Sequence, residues 1–212
     1  MTPFFPSPSL AAGYLVACLM LAATPGADMA LFLSRTLRGG RMQGFAAQAG
    51  ANAGLIVHSV AAALGLSALL AASAEAYQAV KIAGALYLLW LAFRALKHGA
   101  ALKLTPDVAS GGLGGAFLNG LLINLTNPKI VLFFVTFLPQ FIDARDAHAS
   151  LNLFALGFGF IAITTIVNAA VILAAARFVP AGMNLRARKA FDYAFAALMS
   201  AFAARLVWTE AR

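Results

Sequence analysis

The sequence predicts an all-α integral membrane protein of six transmembrane helices, on the evidence of its composition, its apolar block lengths and its charge pattern. Of its 212 residues, 62% are hydrophobic and 10% are charged, whereas soluble domains carry about a quarter charged residues. The apolar residues form blocks of roughly 20 residues, which is the length that a bilayer requires. Residues 1–212 are therefore predicted to be a single transmembrane unit with no room for a soluble catalytic domain.

Six apolar blocks follow one another along the chain, and each is predicted to be one membrane-spanning helix. The runs lack the alternation of apolar and polar residues that barrel strands show, which favours helices. The blocks cover about residues 10–33, 45–72, 77–96, 113–141, 151–178 and 190–207. A polar, glycine-rich link at about 99–112 separates a first repeat at about 9–98 from a second at about 113–208.

The basic residues predict how the helices are oriented. Those in the links after the first, third and fifth blocks are Arg35, Arg38, Arg41, Arg94, Lys97, Lys103, Arg177, Arg186, Arg188 and Lys189. The opposite side holds only Lys81, Arg145, Arg205 and Arg212. Because basic links stay in the cytoplasm, both termini are predicted to lie outside it. The net charge of +8 then reflects topology, so lipid is the expected surroundings and no nucleic-acid partner is predicted.

Two of the blocks are interrupted near their centres. The first contains residues 24–28 (TPGAD), and the fourth contains residues 127–129 (NPK). Proline breaks a helix, and Thr or Asn before proline is typical of an N-cap followed by proline at the first helical position. Each block is therefore predicted to be two half-helices. With three helices in each half, the repeats are inverted, and paired breaks at matching places indicate a transporter's binding site.

Asp28 and Lys129 are the only Asp, Glu, Lys or Arg residues well inside the apolar blocks. A charge at that depth costs roughly 2.5–3.5 kcal/mol on insertion scales, so it usually faces a partner or a watery cavity. Lys129 also sits at a helix N-terminus, where the helix dipole favours anions. Its anionic partner is either Asp28, in a structural salt bridge, or the carboxylate of a substrate.

The polar residues around the breaks complete the predicted site. The predicted binding or coupling residues are Asp28, Lys129, Thr24, Pro25, Gly26, Asn127, Pro128, Asn52 and Asn124. For most polar residues outside the breaks, hydrogen bonding between helices is an alternative role. His58 is either a proton relay or a packed polar residue. The scattered histidines and the single cysteine predict no metal site, no cofactor and no enzyme active site.

Several segments resemble the LysE/RhtB family of amino-acid exporters. They are TPGADM at 24–29, SRTLRGGR at 34–41, LYLLWL at 86–91, LINLTNPK at 122–129 and FLPQF at 137–141. The family usually has proline where this chain has Ala27. The resemblance implies export of amino acids or their derivatives across a bacterial inner (plasma) membrane, driven by the proton gradient. It does not indicate which amino acid is carried.

These observations lead to a hypothesis of alternating access about a site between the two breaks. Lys129 and the half-helix N-termini would bind a substrate carboxylate. Asp28 would bind the amino group, carry the coupling proton, or do both in turn. The alternatives are an exporter of another small solute or cation, and a non-transporting membrane enzyme or accessory subunit. The sequence leaves room for a homo-oligomer.

Overall fold

The structure, a computed structural model, describes residues 8–24, 26–72, 112–142 and 148–177, with isolated residues between 79 and 97 and between 193 and 204. Most of the third and sixth apolar blocks, the link up to residue 111 and Pro25 therefore lie outside the described residues. Every element in the described ranges is helical, in agreement with the predicted all-α fold. The division of the chain into two repeats stays a prediction.

The first apolar block is broken as predicted. Helix α1 covers Pro8–Ala23 and helix α2 covers Ala27–Gly39, and the two are bent by 49°. A single residue, Gly40, separates α2 from the long helix α3, Arg41–Ala72. Its φ of 81° lies in the left-handed region that glycine adopts without a Cβ clash. The tight turn among the basic residues at 35–41 follows from this glycine.

The fourth block is broken as well, and its second half changes helix type. Helix α4 covers Gly112–Leu125, helix α5 covers Pro128–Leu132, a π-helical segment follows at Phe133–Phe137, and a 3₁₀ turn at Leu138–Phe141 ends the block. The bend at this break is 51°. Helix α6, Ala149–Arg177, completes the described elements.

The described helices include candidates for membrane spans. Among the described residues, α6 alone is long and apolar enough to cross a membrane, with a mean hydropathy of 2.2. Each bent pair also qualifies when its two helices count as one span, which gives up to three spans by length and composition. The count of six spans, the inverted repeats and the placement of the termini remain predictions.

Helices α3 and α4 are in close backbone contact. A Cβ added to Gly50 would lie 1.8 Å from the Phe117 carbonyl oxygen, and one added to Gly120 would lie 1.9 Å from that of Ala47. Only glycine fits at this crossing, since such distances are far below van der Waals contact. The close packing of α3 against α4 therefore depends on glycine at positions 50 and 120.

Aromatic side chains fix the π-helical segment on its other side. The rings of Phe133 and Phe160 lie 4.2 Å apart between centroids, which joins the segment to α6. The ring of Tyr14 on α1 meets Phe141 edge-on at 5.5 Å. Edge and offset contacts of this kind are the favoured geometry of aromatic pairs. The half-helix after the second break is thus packed against both α6 and α1.

Candidate functional site

The two breaks face each other, and the Asp28 carboxylate joins them. Asp28 lies in the first turn of α2, where the helix dipole favours an anion. Its Oδ2 accepts a hydrogen bond from Asn127 Nδ2 at 2.6 Å, and its Oδ1 accepts one from Asn124 Nδ2 at 3.3 Å. Both amides come from the second break, and hydrogen bonds to a charged group are stronger than neutral ones. Two side-chain amides of the opposite break thus hydrogen-bond the carboxylate.

The Lys129 side chain extends from the second break to the first. Its Nζ donates to the carbonyl oxygens of Leu21 at 3.3 Å and Thr24 at 3.2 Å. The last carbonyls of a helix have no partner within it, and they attract cations. Lys129 begins one half-helix at α5, but its ammonium caps the end of another, α1. This explains why a cation is tolerated at a helix N-terminus.

Asp28 and Lys129 do not bind each other directly. The hydrogen bonds of the carboxylate go to two amides, and those of the ammonium go to two carbonyls. Both side chains line the same cavity, so the opposite charges are neighbours without being a contact pair. The structural salt bridge, one of the two predicted alternatives, is not formed in this state.

The predicted N-cap at the second break is confirmed. Asn127 has an extended backbone, its Oδ1 accepts from the Lys129 backbone N–H at 3.1 Å, and Pro128 is the first residue of α5. Asn127 therefore uses its side chain twice, with the oxygen capping its own half-helix and the nitrogen binding Asp28. Pro128 fixes the start of the half-helix and does not line the cavity.

The corresponding prediction for Thr24 is wrong. The residue that caps α2 is Gly26, which provides no side-chain hydrogen bond. The Thr24 hydroxyl instead donates back to the Met20 carbonyl oxygen at 2.6 Å, within α1. Thr side chains commonly bond to the carbonyl four residues earlier, and this competes with capping. What Thr24 contributes to the site is its own carbonyl oxygen, which binds Lys129.

Gly26 leaves room for the lysine. A Cβ at this position would lie 3.3 Å from Lys129 Nζ. The φ of −157° is ordinary extended backbone, so the reason for glycine here is space and not conformation. The neighbouring Pro25, also predicted as a site residue, lies outside the described residues.

A small cavity lies between the breaks and the helices α3 and α6. The breaks contribute Asp28 and Lys129, and the facing wall includes Asn52, Thr164 and Asn168. Its volume is about 30 Å³, which is room for roughly two water molecules. Pockets that hold small-molecule ligands are an order of magnitude larger, about 300–1,000 Å³. The structure therefore records a contracted state of the site.

Two asparagines from different helices form part of the polar wall of the cavity. Asn52 and Asn124, both predicted as site residues, line it. The Asn52 amide also donates to Thr165 Oγ1 at 2.9 Å, so it serves both as lining and as an interhelical link. The two carbonyl oxygens that bind Lys129 were missed by the sequence analysis. The available signal was a broken helix, whose last carbonyls must find donors from elsewhere.

The described residues contain no group of three or more His, Cys, Asp or Glu side chains placed to bind a metal ion. Chemically, the cavity offers one carboxylate, one ammonium and several amide and hydroxyl groups. Such a set can bind a small solute that carries both charges. It can also exchange a proton at the carboxylate.

Comparison with known proteins matches most of the chain to one family model. The LysE type translocator family matches residues 19–210. A protein of Vibrio cholerae described as an uncharacterized membrane protein is 34% identical over 135 residues, covering 64% of this chain and 66% of the relative. No solved structure matches the chain.

Two further relatives carry functional names. A homoserine/homoserine lactone efflux protein of Salmonella typhimurium is 29% identical over 160 residues, covering 76% of this chain and 75% of the relative. A protein of the same name from Salmonella typhi is 29% identical over 185 residues, covering 87% of this chain and 89% of the relative.

Proposed function

Because the chain belongs to the LysE type translocator family, we propose that it exports small amino acids or their derivatives by proton-coupled alternating access. The observation that carries the proposal is the placement of Asp28 and Lys129, from opposite breaks, on one cavity. An amino acid carries a carboxylate and an ammonium group, and these two side chains offer the complementary charges. The efflux of homoserine and its lactone named for two relatives supports a small cargo of this class.

Binding in this proposal is an exchange of partners. Without cargo, Lys129 is bound by two carbonyls and Asp28 by two amides. A substrate carboxylate binds Lys129, which then leaves the two carbonyl oxygens. The substrate ammonium binds either Asp28 or those carbonyl oxygens. Each charge keeps a partner throughout, which avoids the cost of an unpaired charge in a dry site. The remaining donors and acceptors, from Asn52, Thr164 and Asn168, face the side chain of the cargo.

The proton and the substrate ammonium compete for the Asp28 carboxylate. A carboxylate that accepts a proton no longer attracts the substrate ammonium, so protonation on the outer side favours release of the cargo. Deprotonation on the cytoplasmic side then restores the binding site. Because the contracted cavity holds only water-sized guests, entry of the cargo requires the half-helices to move apart. The bends at the two breaks, 49° and 51°, are the points in the described chain where such movement costs fewest helix hydrogen bonds.

The test is efflux from proteoliposomes loaded with a radiolabelled amino-acid panel, with and without an imposed proton gradient. Wild type should release at least one amino acid faster when the outside is acidic. Asp28→Asn and Lys129→Met should each lower that rate by on the order of 100-fold, the effect of leaving a buried charge uncompensated. Lys97→Met is the matched control, because Lys97 is exposed and lies 5.4 Å over the Phe93 ring.

The outcomes separate the proposal from its alternatives. Release of a simple amine that depends on Asp28 but not on Lys129 would indicate a cation exporter, since such a cargo has no carboxylate. Release of amino acids that is unaffected by either site variant would contradict the proposed site. No release of any member of the panel by folded wild type would contradict export of amino acids.

A further inference from the structure

We propose that Gly54 and His58 of helix α3 form a seat for Asn124, and that this seat sets the distance between the Asn124 amide and Asp28. His58 is then a positioning residue for the carboxylate, acting through Asn124, and it does not touch the cargo. The transport consequences rest on the proposed function, whereas the geometry of the seat does not.

His58 contacts both sides of the second break. Its Nε2 lies 3.4 Å from the Asn124 carbonyl oxygen, and because a carbonyl only accepts, this contact requires a proton on Nε2. Asn124 is in the last turn of α4, and its carbonyl oxygen also accepts from the Asn127 backbone N–H at 3.1 Å, so His58 is a second, longer donor to it. The His58 ring also stacks on Phe134 of the π-helical segment, with centroids 5.7 Å apart and planes at 25°. One side chain thus spans the break from α3.

Gly54 lies one turn before His58 on the same face of α3. A Cβ at this position would lie 2.6 Å from Asn124 Oδ1 and 3.0 Å from its Cβ. Asn124 is 2% exposed, and its Oδ1 has no hydrogen-bond partner among the described atoms. The Asn124 amide therefore occupies the space that the missing side chain of Gly54 leaves on α3. The hydrogen bond of Asn124 Nδ2 to Asp28 depends on that space.

The hydrogen bond that the seat controls is the weaker of the two on the carboxylate. Asn124 Nδ2 lies 3.3 Å from Asp28, against 2.6 Å for Asn127. Hydrogen bonds fade beyond about 3.2 Å, so a shift of a few tenths of an ångström in α4 makes or breaks this one. The Asn127 bond is held by a capping side chain and changes less. A movement of α4 along α3 would therefore switch Asp28 between one amide partner and two.

The first test separates the donor of His58 from its ring. His58→Gln keeps an N–H donor at a similar reach, and His58→Phe keeps the ring that stacks on Phe134. Proteoliposome efflux should fall about tenfold in His58→Phe and stay within about threefold of wild type in His58→Gln, the ratio expected from one hydrogen bond. The reverse order would mean that packing is what matters, and it would overturn the proposal.

The second test moves Asn124 through Gly54 and needs no transport. Gly54→Ala should raise the rate at which dicyclohexylcarbodiimide labels Asp28 in substrate-free protein, read by mass spectrometry, about tenfold. The reason is that a carboxylate with one amide donor fewer is protonated more often, and this reagent attacks the protonated acid. Asn124→Ala should give the same increase, and the double variant should add nothing further, as expected for residues acting in series.

Matched controls come from the two helices of the seat. Gly65→Ala on α3 and Gly115→Ala on α4 each place the same methyl group where it meets nothing within 4 Å. Neither should change labelling of Asp28. An unchanged rate in Gly54→Ala, or an equal rise in either control, would overturn the seat. Labelling is measured without cargo, so a wild type that exports no amino acid would contradict the proposed function and leave this test intact.

Discussion

The two breaks differ in how each begins its second half-helix. At the second break, the Asn127 side chain caps α5 and Pro128 is its first residue. At the first break, α2 begins at Ala27 after Gly26, without a side-chain cap. The half-helix after the second break is therefore capped by a residue of that break. The half-helix after the first break has no side-chain cap, and the carboxylate of Asp28 lies in its first turn.

The half-helices before the two breaks, α1 and α4, differ in which residues bind their terminal carbonyls. The carbonyls at the end of α1 are bound by Lys129, which belongs to the second break. The carbonyl of Asn124 at the end of α4 accepts from the Asn127 backbone N–H at 3.1 Å and is also contacted by His58 of α3 at 3.4 Å. The end of α1 thus takes its partner from the second break, whereas the end of α4 is bound by a residue of its own break and by α3. Changes in the second break should disturb the first more than the reverse.

The largest effect is expected for Lys129. Lys129→Met leaves the carbonyls at the end of α1 without a donor and Asp28 as an uncompensated buried charge. This should lower the free energy of unfolding by about 3–5 kcal/mol. Asp28→Asn should cost less, about 1–3 kcal/mol, because asparagine still accepts a hydrogen bond. Denaturant titration in detergent micelles measures both.

The double variant sharpens this comparison. If the two charges compensate each other across the cavity, Asp28→Asn with Lys129→Met should be destabilised by at least about 1 kcal/mol less than the sum of the single variants. Strict additivity would show that the two breaks are energetically independent, which is the opposite of what their hydrogen bonds indicate.

A smaller effect on efflux is expected for Asn127. Asn127→Ala removes the cap of α5, worth about 1 kcal/mol, and the 2.6 Å hydrogen bond to Asp28, worth about 1.5–3 kcal/mol for a charged acceptor. Asn127→Asp keeps a capping oxygen but sets a second carboxylate beside Asp28. Efflux should fall at least tenfold in both variants. Normal efflux in Asn127→Asp would mean that capping is the only role of this residue.

The sequence predicted these breaks because their signals are local. The prolines at 25 and 128 mark the two interruptions, and the glycine at 40 marks the turn, without reference to any other part of the chain. The two faces of α3 were also predictable from helical spacing. Gln48 and Asn52 meet α6, whereas His58, on the other face, meets α4.

The rest of the site depends on contacts that no local pattern contains. Lys129 binds carbonyl oxygens 105 and 108 residues away, and any residue type supplies such an oxygen. The cap predicted at Thr24 failed because the hydroxyl had a second acceptor four residues earlier, and the competition between the two is decided by the geometry of the break. The Asn124 oxygen held against Gly54 follows from the crossing of two helices.

The next effect in size concerns the space beside Lys129. Gly26→Ala puts a methyl group 3.3 Å from Nζ, at a φ that alanine adopts without strain. The ammonium must shift by a few tenths of an ångström, so efflux should fall by about three- to tenfold while the folded fraction is unchanged. Gly13→Ala on α1, which would meet nothing within 4 Å, is the control. Wild-type efflux in Gly26→Ala would show that the ammonium has room to spare.

The smallest effect is expected for the Thr24 side chain, although Thr24 lies at the centre of the first break. Its hydroxyl bonds within α1 to Met20, and the atom that binds Lys129 is the backbone carbonyl, which every substitution keeps. Thr24→Val has nearly the same shape and removes only the hydroxyl, so efflux should stay within about twofold and stability within about 1 kcal/mol. A loss as large as that of Asn127→Ala would mean that the hydroxyl caps α2 in another state of the cycle. The two breaks would then be capped alike, and the contrast between them would belong to the contracted state alone.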